Sequence, residues 1–138
     1  MPCSYLIDVA RKIVFSRGWG ALTDEELHTH AKTLIADPRF GSGFRQLVDF
    51  RALTEVLVTS DGVKILAQRN PFPPHARRAV VAPADAAFGM TRMFETFMNA
   101  DPEQFRVFRV MEPALEWVGL DPSTPWPERE PDQVFSVA

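Results

Sequence analysis

One cysteine, three histidines and no long apolar run set the first limits on this 138-residue chain. A lone cysteine, Cys3, excludes an internal disulfide and any zinc site built on thiolates, and it fits a reducing compartment. No stretch reaches the roughly 18 to 20 apolar residues that cross a bilayer, and the opening residues carry no signal-peptide-like segment. Stable membrane insertion is therefore not expected, and a cytoplasmic location is. Charge of one sign is scarce too: 15 Lys and Arg against 18 Asp and Glu leave a net charge of −3, with no field to gather phosphates and no case for nucleic acid as a partner. What is present is ordinary for a globular domain. With 46% hydrophobic and 24% charged residues, wholesale disorder, collagen-like structure and coiled coil are excluded, and the length suits one domain with a real core.

The chain opens with strand-like alternation at Tyr5 and Ile7, a turn over Asp8 to Arg11, and a second alternation of Ile13, Phe15, Arg17 and Trp19 against Val14, Ser16 and Gly18. Gly18 and Gly20 are expected to end that strand, and so short a link makes the pair antiparallel. Thr23 followed by Asp24, Glu25 and Glu26 forms a capping box, with Leu22 and Leu27 spaced as a hydrophobic staple. The apolar positions Leu27, Ala31, Leu34 and Ile35 then predict a helix over about residues 24–36, stopped by Asp37 and Pro38. After Gly41, Ser42 and Gly43, the run Arg45 to Phe50 reads as a buried strand, and Thr54 to Val58 either extends it or follows a bulge or turn. Thr59 or Ser60 caps a second helix carrying Val63, Leu66 and Ala67, which Asn70 and Pro71 end ahead of the stiff Pro71, Phe72, Pro73, Pro74 loop.

Arg77 to Ala82 is a short strand closed by Pro83. Asp85 is expected to cap the longest helix, about residues 86–99, and Phe105 to Val110 makes a last strand. Pro113 at a first helical position starts a short helix that ends at Gly119. The order β-β-α-β-α-β-α-β-α implies an α/β fold: a mostly parallel sheet with right-handed crossovers and one antiparallel strand at the front. The domain is expected over residues 1–120, with a proline-rich tail over 121–138. Trp126, Val134, Phe135 and Val137 are apolar for a free tail, so the tail is expected to pack on the domain or on a neighbouring subunit.

Catalytic and metal chemistry find little support. On one helix His28 and His30 point about 200° apart and cannot share an ion. Pairing with Asp24 or Glu26 at i,i+4 gives only two ligands, and His75 lies in a separate loop, so no metal site is expected and the two histidines read as solvated helix face. Cys3 sits beside the terminus, no serine stands in a nucleophile elbow, and Gly41 to Gly43 lack the lysine of a phosphate loop. No catalytic residue and no cofactor are expected. Asp49 and Arg51 at the carboxyl end of a strand share one face and are expected to pair with each other. Arg77 and Arg78, with His75, make a small basic spot read as a solvated strand start. On the long helix, Phe88, Met90, Met93, Phe94, Phe97 and Met98 spread over more than one sheet face can cover, so some of them, with Trp126, are candidates for a dimer face or an apolar ligand cleft.

The phrases "YLID", "ALTDEELHTHAKTLIADPRF", "FRQLVDFR", "RNPFPPHARRAVVAP" and "AFGMTRMFE" together resemble the bacterial SpoIIAA-like proteins, over about residues 4–120. Their fold is related to STAS domains and, more distantly, to the lipid-binding CRAL-TRIO module. The resemblance implies a mixed sheet of four to five strands with helices packed beside it, in a small and often dimeric protein of mostly undefined function, and it does not imply an enzyme. In STAS anti-sigma-factor antagonists a strand leads to Asp-Ser-Ser-Gly at a helix start, and the serine before the glycine is phosphorylated. The matching place here is Thr59, Ser60, Asp61 and Gly62. Asp61 replaces that serine and supplies one fixed negative charge, so the turn is expected to offer a partner a permanent anionic contact.

The expected protein is a non-catalytic bacterial interaction or regulatory module of STAS type, a homodimer that presents Thr59 to Gly62 and the long helix to an unidentified protein partner. The second expectation is a binder of lipid or another small apolar ligand. The third, an uncharacterised enzyme, requires ionisable side chains converging in one cleft.

Overall fold

Alternation builds the first two strands. The structure, a computed structural model, describes residues 3–41, 43–72 and 76–127. Ser42, His75 and the tail positions Val134, Phe135 and Val137 lie outside the described residues. Strands β1 (Cys3–Asp8) and β2 (Ile13–Thr23) pair antiparallel, with Ile7 opposite Val14 and Tyr5 opposite Ser16. The Asp8 carboxylate closes their turn by accepting from the Arg11 backbone amide at 2.9 Å and from its Nε at 2.7 Å. The remaining elements are α1 (Asp24–Ala36), β3 (Arg45–Leu57), α2 (Ser60–Gln68), β4 (Arg78–Val81), α3 (Asp85–Met98), β5 (Phe105–Phe108) and α4 (Met111–Trp117). The five strands lie in the order β1-β2-β3-β4-β5, and β2 to β5 run parallel.

Helices α1, α2 and α3 each join a strand to its parallel neighbour, always in the same direction across the sheet. Right-handed crossovers then place all three on one face. That face buries Leu22, Val48, Phe50, Val63, Val80 and Phe94 in one cluster and Tyr5, Ile7, Val14 and Leu34 in an adjoining one. The opposite face, with Ile13, Phe15, Leu47, Ala79 and Val81, is covered by α4 through Met111, Ala114, Leu115 and Val118. Trp126 packs edge-on against Phe15, with ring centroids 5.4 Å apart, so the tail as far as it is described rests on its own domain.

Several local expectations shift. Gly18 and Gly20 do not end β2 but sit at register shifts inside it. A Cβ at Gly18 would come within 2.9 Å of the Phe50 ring, and Gly20 takes φ +65°, so both glycines serve bends in a continuing strand. β3 runs unbroken to Leu57 beside that extension. Asp85 is the first residue of α3 rather than its cap. Its carboxylate accepts from Arg109 Nη1 at 2.9 Å, and the N-cap, Ala84, makes no side-chain bond. α4 begins at Met111, which places Pro113 inside the first turn, where its missing N–H costs nothing.

The α1 cap works as the capping box requires, in altered form. The Thr23 hydroxyl accepts from the Glu26 amide and donates to the Glu26 carboxylate. Thr59, not Ser60, caps α2, accepting from the Gly62 amide at 3.0 Å. Asp24 then locks the two helix starts together: its carboxylate accepts from the Thr59 amide at 2.9 Å and from the Thr59 hydroxyl at 2.6 Å. A Cβ at Gly62 would run into that carboxylate. Gly62→Ala is therefore expected to push the Asp24 carboxylate off Thr59 and to cost about 1 kcal/mol in urea denaturation. In the Asp24→Ala background it costs markedly less, since the obstructing group is gone.

Candidate ligand-binding site

Small and polar side chains at the inward positions of β2, β3 and β4 leave space that the helices above do not fill. The result is a chamber of about 110 Å³ between the sheet and α1, α2 and α3, open to solvent on one side. Its walls are mainly apolar, with Leu27, Val48, Phe50, Val63 and Val80 among them. Phe94 and Met90 form part of the roof from α3, and Ala31 and Leu34 part of it from α1.

A row of polar groups crosses the chamber floor. Gln46 and Arg78 are register partners at the amino-terminal ends of β3 and β4. The Gln46 amide donates to Ser16 Oγ at 3.0 Å, and its Oε1 accepts from Arg78 Nε at 3.1 Å. Arg78 Nη1 donates to Asn70 Oδ1 at 2.8 Å and to Met98 Sδ at 3.7 Å, while Nη2 makes no hydrogen bond among the described residues. The guanidinium lies 4.2 Å from the Phe72 ring centroid, 5.3 Å from that of Phe105 and 5.5 Å from that of Phe94. Only 9% of Arg78 is exposed. No carboxylate pairs with it among the described residues, and burial pulls its pKa down to about 9, which still leaves a charge at neutral pH. A second cleft of about 190 Å³ meets the chamber at Asn70, Phe72, Arg78 and Phe105. Arg78 is thus one of four residues that line both.

His30 is the other unusual group. Its ring bonds to the Ser4 backbone and stands edge-on to Tyr5 at 5.4 Å. Nε2, shielded from solvent, has no partner among the described residues, so Nδ1 is the donor to the Ser4 carbonyl and Nε2 the bare acceptor. Burial pushes the His30 pKa down to about 4, and it pushes the neighbouring Cys3 thiol up to about 12.

The structure corrects two expectations about charged residues. Arg77 is exposed and donates to the Trp117 carbonyl at 2.8 Å, but Arg78 points to the other face, into the core, and is not a solvated strand start. His28 and His30 do not form a solvated face either. His28 Nε2 bonds to the Gly62 carbonyl at 2.9 Å, and His30 lines the chamber. Asp49 and Arg51 do pair with each other, at 2.9 and 3.0 Å. At the expected partner turn Thr59, Ser60 and Asp61 are exposed, while Gly62 is buried and the Thr59 polar groups are held by Asp24. The α3 candidates divide. Phe94 is 8% exposed and lines the chamber, Phe88 lies under Arg109 at 4.2 Å, and Met98 accepts from Arg78. Met93 and Phe97 face outward at 37% and 43%.

The overall geometry has a counterpart among solved structures. The chain is similar to an uncharacterised protein of the DUF3478 family with a SpoIIAA-like fold from Shewanella loihica PV-4, at 17% identity and TM-score 0.55, over 84% of this chain and 93% of that one. The fold is SpoIIAA-like. No family model and no curated protein matches the chain. Within this SpoIIAA-like frame no described helix is long and apolar enough to cross a membrane.

The depressed His30 pKa has a measurable consequence. The fold holds the imidazole neutral, so the unfolded chain takes up a proton near pH 6.5 that the folded chain refuses until about pH 4. Stability is expected to fall as the pH drops through that window, by up to about 3 kcal/mol. His30→Leu should flatten this part of the curve in denaturation measured at pH 7, 6, 5 and 4.

Proposed function

We propose that this protein is a non-catalytic binding module, which takes a small ligand with an apolar body into the chamber beneath α1, α2 and α3. The observation that carries this reading is an unfilled space of about 110 Å³ in the middle of the fold. Protein interiors pack almost without voids larger than a water, and a closed cavity of this size costs roughly 2–3 kcal/mol. An opening to solvent lowers that cost without removing it, and an occupant of matching shape removes most of it. Cavities of about 150 Å³ take up benzene, so this smaller, open chamber suits part of a ring or of a short acyl chain, with the remainder at its opening. The chemistry of the walls favours holding over converting. Cys3 is kept as a thiol, the imidazole is a weak base, and the Thr91 hydroxyl is spent on the Ala87 carbonyl at 2.9 Å.

A protein partner at Ser60 and Asp61, or a second copy of the chain on Met93 and Phe97, is the alternative, supported by the exposure of those side chains. Hexan-1-ol distinguishes the readings. It is expected to raise the melting temperature of the wild-type protein and to shift the amide resonances of Ala31, Val48 and Val63, and to be recovered unchanged. In Ala31→Phe, where the new ring occupies the space, both effects disappear. No response in the wild-type protein rules the chamber reading out.

A further inference from the structure

Resting on that reading, we propose that the ligand is an amphipathic monocarboxylate: its carboxylate is held by Arg78, and a hydroxyl or N–H donor toward its other end is held by His30 Nε2. Two groups in the chamber are left with opposite hydrogen-bonding needs. Among the described residues Arg78 Nη2 has no acceptor, although it is not sealed from solvent, and the sealed His30 Nε2 has no donor. A sealed acceptor without a donor is costly in a core, and so is a cation that is only 9% exposed with no described carboxylate beside it. A core selected for stability alone would carry Met or Leu at position 78, where β4 continues as Ala79, Val80 and Val81.

The guanidinium is also prepared for a small anion. Gln46 and Asn70 fix Nε and Nη1, and the Phe72 ring, 4.2 Å away, helps hold the guanidinium plane, so the one free nitrogen is positioned before any ligand arrives. A single free nitrogen suits one carboxylate oxygen. A phosphate, with up to two charges and three oxygens to satisfy, would be left largely unpaired. Asp101 borders the adjoining cleft but makes no ion pair with Arg78, so no carboxylate among the described residues neutralises the cation. At the other end, His30 stands over Ser4 on β1 while Arg78 is on β4. At about 4.8 Å per strand, roughly 14 Å of sheet separates the Ser4 and Arg78 backbones; the His30 and Arg78 side chains reach inward from α1 and β4, and the apolar walls lie between. The ligand matching this pattern carries its charge at one end and a donor at the other, across a body of about six carbon atoms.

Three probes separate these elements in titration calorimetry on the full chain: hexan-1-ol, hexanoate and 6-hydroxyhexanoate. Hexanoate is expected to bind at least tenfold more tightly than hexan-1-ol. An added hydroxyl ordinarily weakens binding to an apolar pocket, but 6-hydroxyhexanoate is expected to bind several-fold more tightly than hexanoate. Arg78→Met should remove the preference for the acids while keeping the affinity for hexan-1-ol, which also reports that the variant is folded. His30→Leu should remove only the gain from the hydroxyl. Acids binding no better than the alcohol, or Arg78→Met leaving acid binding intact, overturns the carboxylate assignment and leaves the chamber reading standing. No gain from the hydroxyl, or a gain that survives His30→Leu, overturns the role of His30. Failure of all three probes with the wild-type protein overturns the chamber itself.

Discussion

A crossover between neighbouring parallel strands leaves its helix little choice of face. Three such crossovers follow one another here in the same direction, so α1, α2 and α3 crowd onto one side of the sheet and the other side is left to α4 and Trp126. Both faces of the central strands are therefore covered. Any polar residue in β3 or β4 has to find its partners inside the protein, and Gln46, Arg78 and Ser16 do so with one another. The polar row and the space above it are products of this topology.

That arrangement inverts a familiar rule. In open α/β sheets the ligand crevice lies at the carboxyl ends of the strands, where Asp49 draws attention. Here Asp49 is consumed by Arg51, and the described groups with hydrogen-bonding capacity to spare are Arg78, at the amino-terminal end of β4, and His30, over β1. The rule describes sites formed by loops beyond a sheet, whereas this chamber lies within the layer between sheet and helices.

The fold was largely legible because its signals are local. The Thr23 to Glu26 cap, the period-two runs and the Asp-Pro and Asn-Pro stops each act within a few residues, and the order of elements settled the sheet. The glycines of β2 were misread because a bend and an end look alike until the partner strand is known to continue beside them. The site was much less legible. Phe94 stood out as a surplus aromatic, yet whether it met solvent, a partner or a cavity depended on how α3 settles against the sheet. Arg78 reads in the sequence as solvated because charges usually are. Its parity with Val80 was the available clue, since a strand covered on both faces has no outward side. His28 and His30 were correctly placed on different faces of α1, but both faces meet protein. A void has no sequence pattern at all, because it depends on the separation of three helices.

Helix α1 is unlike the other walls of the chamber. It is fastened at its start by Asp24 and His28 to the head of α2 and at its end by Asp37, whose carboxylate accepts from the Tyr5 hydroxyl at 2.8 Å. Between those points Leu34 is its one buried residue. Apolar burial is what resists local opening, so the middle of α1 can lift away from β1 at lower cost than α3, which buries Ala87, Met90, Thr91 and Phe94, can move. A span pinned at both ends and slack between them behaves like a bowstring: it admits an occupant by bowing outward and springs back over it, with the sheet beneath left undisturbed.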